Sequence, residues 1–119
     1  MSNGEMRLRL KLSTAIKVGF MKHLKNIHPG EILLEEFLKP MQISAYRLSK
    51  DTDIPQTRIS AIIKGTRSVT ADTALRFAKY FGTTAKFWLG LQDDFDIEEE
   101  SKKLKSQLNS IPKFSGNAA

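Results

Sequence analysis

Three residues, Asp53-Ile54-Pro55, interrupt the stretch ISAYRLSKDTDIPQTRISAIIKGTRSVT, Ile43 to Thr70, and separate two short apolar-periodic runs. That break constrains the chain more than any other feature in it. Ser44 can cap the first run, which carries Leu48, while Pro55 suits the first turn of the second, where its fixed backbone angle is favourable and its missing N–H is not needed. The stretch therefore reads as two short helices joined by a tight turn. No acidic residue occurs in the second run. At about 100° per residue, Ile59, Ile62 and Ile63 share one face of that helix, and Thr57, Ser60, Ala61 and Lys64 lie on the other. One face is built for a core, and the other is small, polar and basic.

The surrounding sequence predicts an all-α fold of five helices. The first runs from Pro29 to Leu38, opens on His28-Pro29-Gly30, buries Ile32, Leu33 and Phe37, turns Glu31, Glu35 and Glu36 outward, and stops at Pro40. The interrupted pair supplies the second and third. Gly65 ends the third where a left-handed cap is wanted. Thr70 caps a fourth helix with Ala74, Leu75, Ala78 and Phe81, which Gly82 ends, and Thr84 caps a fifth containing Phe87, Trp88 and Leu91. The chain divides into an N-terminal extension or arm (1–22), a central domain (23–97) and a charged helical tail (98–119) whose end, Ser110–Ala119, has a disordered composition. In the prefix, Met6, Leu8, Leu10 and Leu12 alternate with Arg7, Arg9 and Lys11. That period of two suits an edge strand or an arm that orders on a partner, and Met21 offers an alternative start that would make the prefix an extension.

Composition narrows the function classes. The 119 residues suit one domain, and 19 Lys+Arg against 13 Asp+Glu leave a net charge of +6, which favours a polyanionic partner. With no cysteine, disulfides, thiolate catalysis and Cys-ligated zinc are excluded, and a cytosolic location is the plain reading. No apolar run reaches the roughly 20 residues of a membrane span. His23 and His28 have no third ligand at suitable spacing, so no metal or other cofactor is expected. The carboxylates Glu31, Glu35, Glu36 and Asp93–Glu100 read as solvated helix faces, the last with Glu98–Lys102 and Glu99–Lys103 pairs. No nucleophile has a convincing base, so the chain is not expected to be an enzyme.

The polar face of the third helix has the properties a major-groove helix needs. Bulk would hold it off the base edges, and carboxylates would be repelled by phosphates. Gln56, Thr57 and Arg58, in the first turn, should point deepest, with Ser60 and Ala61 also toward the bases. Lys64, Thr66 and Arg67, with Ser44 and Arg47 on the preceding helix, should meet the sugar-phosphate backbone of double-stranded DNA.

With those residues in place, Ala45–Gly65 resembles the helix-turn-helix of the lambda repressor and Cro class, the XRE family. The flanks IHPGEILLEEFL (27–38), GTRSVTADTALRFAKYFGTT (65–84) and FWLGLQDDFDI (87–97) are similar to the HigA/VapI-type antitoxins. The resemblance spans residues 25–97. Two positions depart from it: Asp53 stands where repressors usually have Gly, and Ser49 where they have a small Ala. Asp tolerates the left-handed backbone, and Ser is nearly isosteric with Ala. The resemblance implies a lambda-repressor-like fold, pairing with an mRNA-cleaving HigB-type toxin, and repression of the shared operon. Phe87, Trp88, Leu91 and Phe95 suit a core, yet they crowd the end of a small domain, so they are expected to form the seam of a homodimer as well. A second reading keeps only the protein–protein contact and treats the helix-turn-helix as vestigial.

Overall fold

Pro40 stands inside the first helix rather than ending it. The computed structural model describes residues 25–116, and helix α1 runs through three registers: α-helical at Pro29–Ile32, π-helical at Leu33–Leu38 and α-helical again at Lys39–Met41. A proline ring in a regular α-ladder collides with the carbonyl four residues back. The π register relieves this by sending the Lys39 N–H to Leu34 O, five residues back. The expected stop at Pro40 is thus corrected by two residues. The chain turns instead at Gln42, which takes the left-handed conformation (φ 57°), and the Ile43 N–H closes on Leu38 O.

The remaining helices are α2 (Ala45–Thr52), α3 (Gln56–Ile63), α4 (Ala71–Phe81), α5 (Ala85–Lys103) and a short α6 (Lys105–Asn109). Every regular element among the described residues is helical. Ser44 Oγ accepts from the Arg47 N–H (3.0 Å) and Thr84 Oγ1 from the Phe87 N–H (3.0 Å), as capping requires. Thr70 occupies the cap position of α4, yet its hydroxyl turns to Thr73 Oγ1. Gly65 and Gly82 are left-handed after α3 and α4, with the Thr66 N–H reaching back to Ala61 O. α5 continues past Ile97 without a break, so no boundary in the backbone separates the central domain from the start of the tail. The expectations for residues 1–22 and for His23 lie outside the described residues.

One core gathers the apolar faces. Leu33, Phe37, Leu48, Ile54, Ile59, Ile62, Phe77 and Trp88 are fully buried. On α4 the buried side chains are Thr73, Ala74 and Phe77, whereas Leu75 is exposed, one residue's rotation off the apolar face. Trp88 is the centre of an aromatic cluster: ring centroids of Phe37, Phe77 and Phe87 lie 5.0, 5.1 and 5.1 Å away, and its Nε1–H donates to Thr83 Oγ1 (2.8 Å). Of the two roles open to Trp88, core and dimer seam, its enclosure gives it the first. Three helices converge on the indole, and Trp88 has no surface left to offer a second copy.

Candidate nucleic-acid interface

The turn between α2 and α3 departs from a repressor-like sequence at two places, and each residue has a local partner. Asp53 takes the left-handed conformation (φ 58°) that glycine would otherwise supply. Ser49 Oγ donates to Ile54 O (2.5 Å), while Ser49 O accepts from the Asp53 and Ile54 N–H groups. An alanine at position 49 could accept but not donate. Arg76 then donates from Nη1 to Thr52 O (2.9 Å), and the Tyr80 hydroxyl to Asp51 Oδ2 (2.7 Å), which dock α2 on α4. Asp51 is held below the usual carboxylate range, first by the Tyr80 hydroxyl and then by Arg47.

On the opposite side α3 is pinned by α1. A Cβ added at Gly30 would stand 1.7 Å from Ile62 O, so only glycine lets the start of α1 lie against the end of α3. His28 Nδ1 accepts the Gly30 N–H (2.9 Å), and Pro29 takes the first helical position. The imidazole packs beside Gly65 and edge-on to Phe95 at 4.9 Å. Its pKa lies below the ordinary histidine value because burial disfavours the cation, an effect that Asp96 partly offsets.

These supports leave the outer face of α3 open. Gln56, Thr57, Ser60, Ala61, Lys64 and Thr66 line one shallow concavity of about 410 Å³. Six of the sequence-predicted contact residues are thereby brought together. Thr66 Oγ1 folds back to donate to Ala61 O (3.2 Å), and Arg67 is exposed beyond it. Arg58 does not line the concavity; it is half-buried, its Nε has no hydrogen-bond partner, and its charge reaches Asp72 at the start of α4. Ser44 and Arg47 are exposed at the start of α2, where Ser44 caps the helix and Arg47 Nε contacts Asp51 Oδ2 (3.2 Å). An exposed pair of that kind is worth little in water and leaves the guanidinium available to a phosphate.

Two residues that sequence reasoning did not single out tie α5 to the rest of the domain, one to the loop after α3 and one to the chain ahead of α1. Gln92, almost fully buried on α5, accepts the Val69 N–H at Oε1 (2.8 Å) and donates from Nε2 to Asp96 Oδ1 (2.9 Å). Asn26 donates to Phe95 O (3.0 Å) and Glu99 Oε2 (2.8 Å), tying the chain ahead of α1 to α5. Glu99 is thus engaged by Asn26, and Lys103 reaches Glu100 (3.9 Å) in place of the anticipated Glu99; the Glu98–Lys102 pair forms at 3.8 Å. The signal for Gln92 was its spacing. It lies four residues after Trp88, on the same helical side. Phe87, Leu91 and Phe95 keep part of their surface but pack against the core or His28. Among the described residues no helix is long and apolar enough to cross a membrane.

Comparison with known proteins gives three findings. A helix-turn-helix family model matches residues 34–88. Virulence-associated protein I of Dichelobacter nodosus is 45% identical over 92 residues, covering 77% of this chain and 84% of that protein. Two solved structures are similar throughout their length. An addiction module antidote protein of the HigA family from Coxiella burnetii is 49% identical with a TM-score of 0.71, covering 75% of this chain and 98% of that one. The Pseudomonas aeruginosa antitoxin HigA, solved with the higBA promoter, is 32% identical with a TM-score of 0.73, covering 76% and 99%.

Proposed function

Because the chain belongs to the HigA family of helix-turn-helix antitoxins, we propose that it is a cytoplasmic antitoxin that binds and neutralises an mRNA-cleaving toxin of the HigB type and represses their shared operon as a DNA-binding homodimer. The observation that carries the DNA-binding half is the acid-free open face of α3, where Gln56, Thr57, Ser60, Ala61, Lys64 and Thr66 surround one concavity. The N-terminal turn of α3 enters the major groove, and Gln56 and Thr57 read base edges. Lys64 and Arg67, flanked by Ser44 and Arg47, neutralise phosphates and set the register. A face released from DNA binding would accumulate carboxylates and bulk; none stands here, which counts against a vestigial motif. Toxin neutralisation is stoichiometric in this reading: the chain binds the nuclease and catalyses nothing itself.

The test is a binding series on operator DNA from the host operon. A two-fold dimer protects a pseudo-palindrome with half-sites about 34–36 Å apart. Gln56→Ala or Thr57→Ala relaxes preference at particular base pairs, by roughly 1–3 kcal/mol each. Lys64→Ala or Arg67→Ala weakens all sequences alike and flattens the salt slope by about one. Identical sequence-preference profiles for the two classes would refute the division of roles. Growth rescue with the cognate toxin co-expressed tests the other half.

A further inference from the structure

Helix α4 carries two stripes at helical spacing, and the core takes only one of them. Thr73, Ala74 and Phe77 point inward and are buried. On another side Asp72, Leu75, Arg76, Lys79 and Tyr80 stand at i, i+3, i+4, i+7 and i+8, the interval that gathers residues on one helix face. Together with Asp51 and Thr52 at the end of α2 they line an open groove of about 580 Å³. Leu75, 62% exposed, is the one large apolar side chain of α4 that the fold leaves in solvent. A lone exposed leucine needs no explanation, but this one shares a concavity with the Tyr80 ring and the alkyl stems of Arg76 and Lys79.

The charges around the groove are not equally free. Arg76 Nε donates to Asp72 Oδ1 (2.5 Å) and Nη1 to Thr52 O, while Asp51 accepts from the Tyr80 hydroxyl and from Arg47. Those donors hold both carboxylates below the usual range. Lys79 is exposed and has no ionic or hydrogen-bonding partner among the described residues. The groove therefore offers one uncommitted cation beside an apolar patch.

An apolar side chain with a carboxylate close by complements that surface. Duplex DNA does not: phosphates entering the groove would meet Asp51 and Asp72, and the groove shares no lining residue with the concavity of α3. A repressor that also holds a toxin needs a protein-binding surface separate from its reading helix, and this groove is separate. We propose that the groove between α2 and α4 is the toxin-docking surface, taking a segment of the toxin that sets an apolar side chain on Leu75 and Tyr80 and a carboxylate on Lys79. The inference rests on the antitoxin reading and gives toxin neutralisation a place on the fold.

Calorimetric titration of the full chain with the purified toxin of the same operon tests it, with the single tryptophan, Trp88, reporting the core by fluorescence. Leu75→Glu should weaken toxin binding at least about a hundredfold, by setting a carboxylate where an apolar contact is made. Lys79→Met keeps the stem and removes the charge. It should weaken binding about tenfold and make what remains less sensitive to salt between about 50 and 300 mM, whereas Lys79→Arg should stay close to wild type. Both altered positions are exposed, so Trp88 emission and operator affinity should not change in any of the three. Should Leu75→Glu misfold, the salt dependence of Lys79→Met decides alone. Wild-type toxin affinity in either Leu75→Glu or Lys79→Met overturns the groove and leaves the antitoxin reading standing, provided the unaltered chain binds toxin. An unaltered chain that binds no toxin overturns both. Operator affinity lost in Leu75→Glu with Trp88 emission unchanged would hand the groove to DNA, and a change in sedimentation of that variant would hand it to a second copy; either result overturns the proposal.

Discussion

Two exposed helix faces, the outer side of α3 and the outer side of α5, differ in how they treat bulk and charge. The first is ringed by Gln56, Thr57, Ser60 and Lys64 around a concavity, with no carboxylate on its helix. The second exposes Ile97, with Leu108 on α6 and Ile111 beyond it also exposed, and its charge divides into an acidic half and a basic half that continues into α6. A single-sign polar surface suits a polyanion whose counterions are released on binding; an apolar stripe with segregated charge suits a helix of matching pattern. The glycines divide along the same line. Gly30 is demanded from within the chain, where its missing Cβ makes room for Ile62 O, while the room beside Gly90 is empty.

The largest expected effect tests which side of α5 is the inside. Trp88→Ala removes the hub of the aromatic cluster and should cost about 3–5 kcal/mol in urea denaturation. Its influence on self-association should be confined to the fraction that unfolds. A stability change below about 1 kcal/mol together with a lost dimer would invert the comparison, placing the seam at Phe87–Phe95 and the core elsewhere.

What made α3 legible and α5 only half so is the range of the interactions. The caps at Ser44 and Thr84, the left-handed Asp53, Gly65 and Gly82, and the inward Ile59 and Ile62 are local, set by residues within a turn or two. Ser49 was read as a near-isostere of Ala, although its hydroxyl locks the turn through Ile54 O. Trp88 was misjudged because its surroundings come from Phe37, Phe77 and Phe81, which no local spacing brings together. Pro40 was taken for a stop because the π register that absorbs it has no sequence signature in this stretch. That Ile97 faces outward from α5 only becomes apparent once Trp88 and Gln92 are seen to be buried.

A middle-sized effect tests whether the two helices are mechanically separate. Gln92 reaches from α5 to the Val69 N–H, at the end of the loop that carries Thr66 and Arg67. Gln92→Met keeps the bulk and removes the acceptor, leaving a buried N–H unpaired at a cost of about 1–3 kcal/mol. If the loop is held in place by this bond, operator affinity should drop for all sequences alike and the salt slope should flatten by about one, as Arg67 loses its phosphate. Unchanged affinity and slope, with the stability loss present, would mean that the loop keeps its position without α5.

The smallest effect concerns His28, which sits between the two regions, its ring against Gly65 on one side and Phe95 on the other. Nδ1 accepts the Gly30 N–H, so the neutral ring carries its proton on Nε2, and protonating Nδ1 would break the cap. Burial holds the folded pKa below the ordinary value of 6.5, with Asp96 opposing the shift. In the window between the folded and unfolded values the unfolded chain therefore binds more protons, and stability falls as pH falls. The contribution is complete above about pH 6.5 and is lost as the pH drops through the folded value. Denaturation curves between about pH 7.5 and 5.5 should show a shallow decline in the wild type. His28→Asn should flatten it, since asparagine can accept the same cap bond without titrating. Superimposable pH dependences in the two proteins would show that the imidazole's protonation is not coupled to the α1–α3 contact.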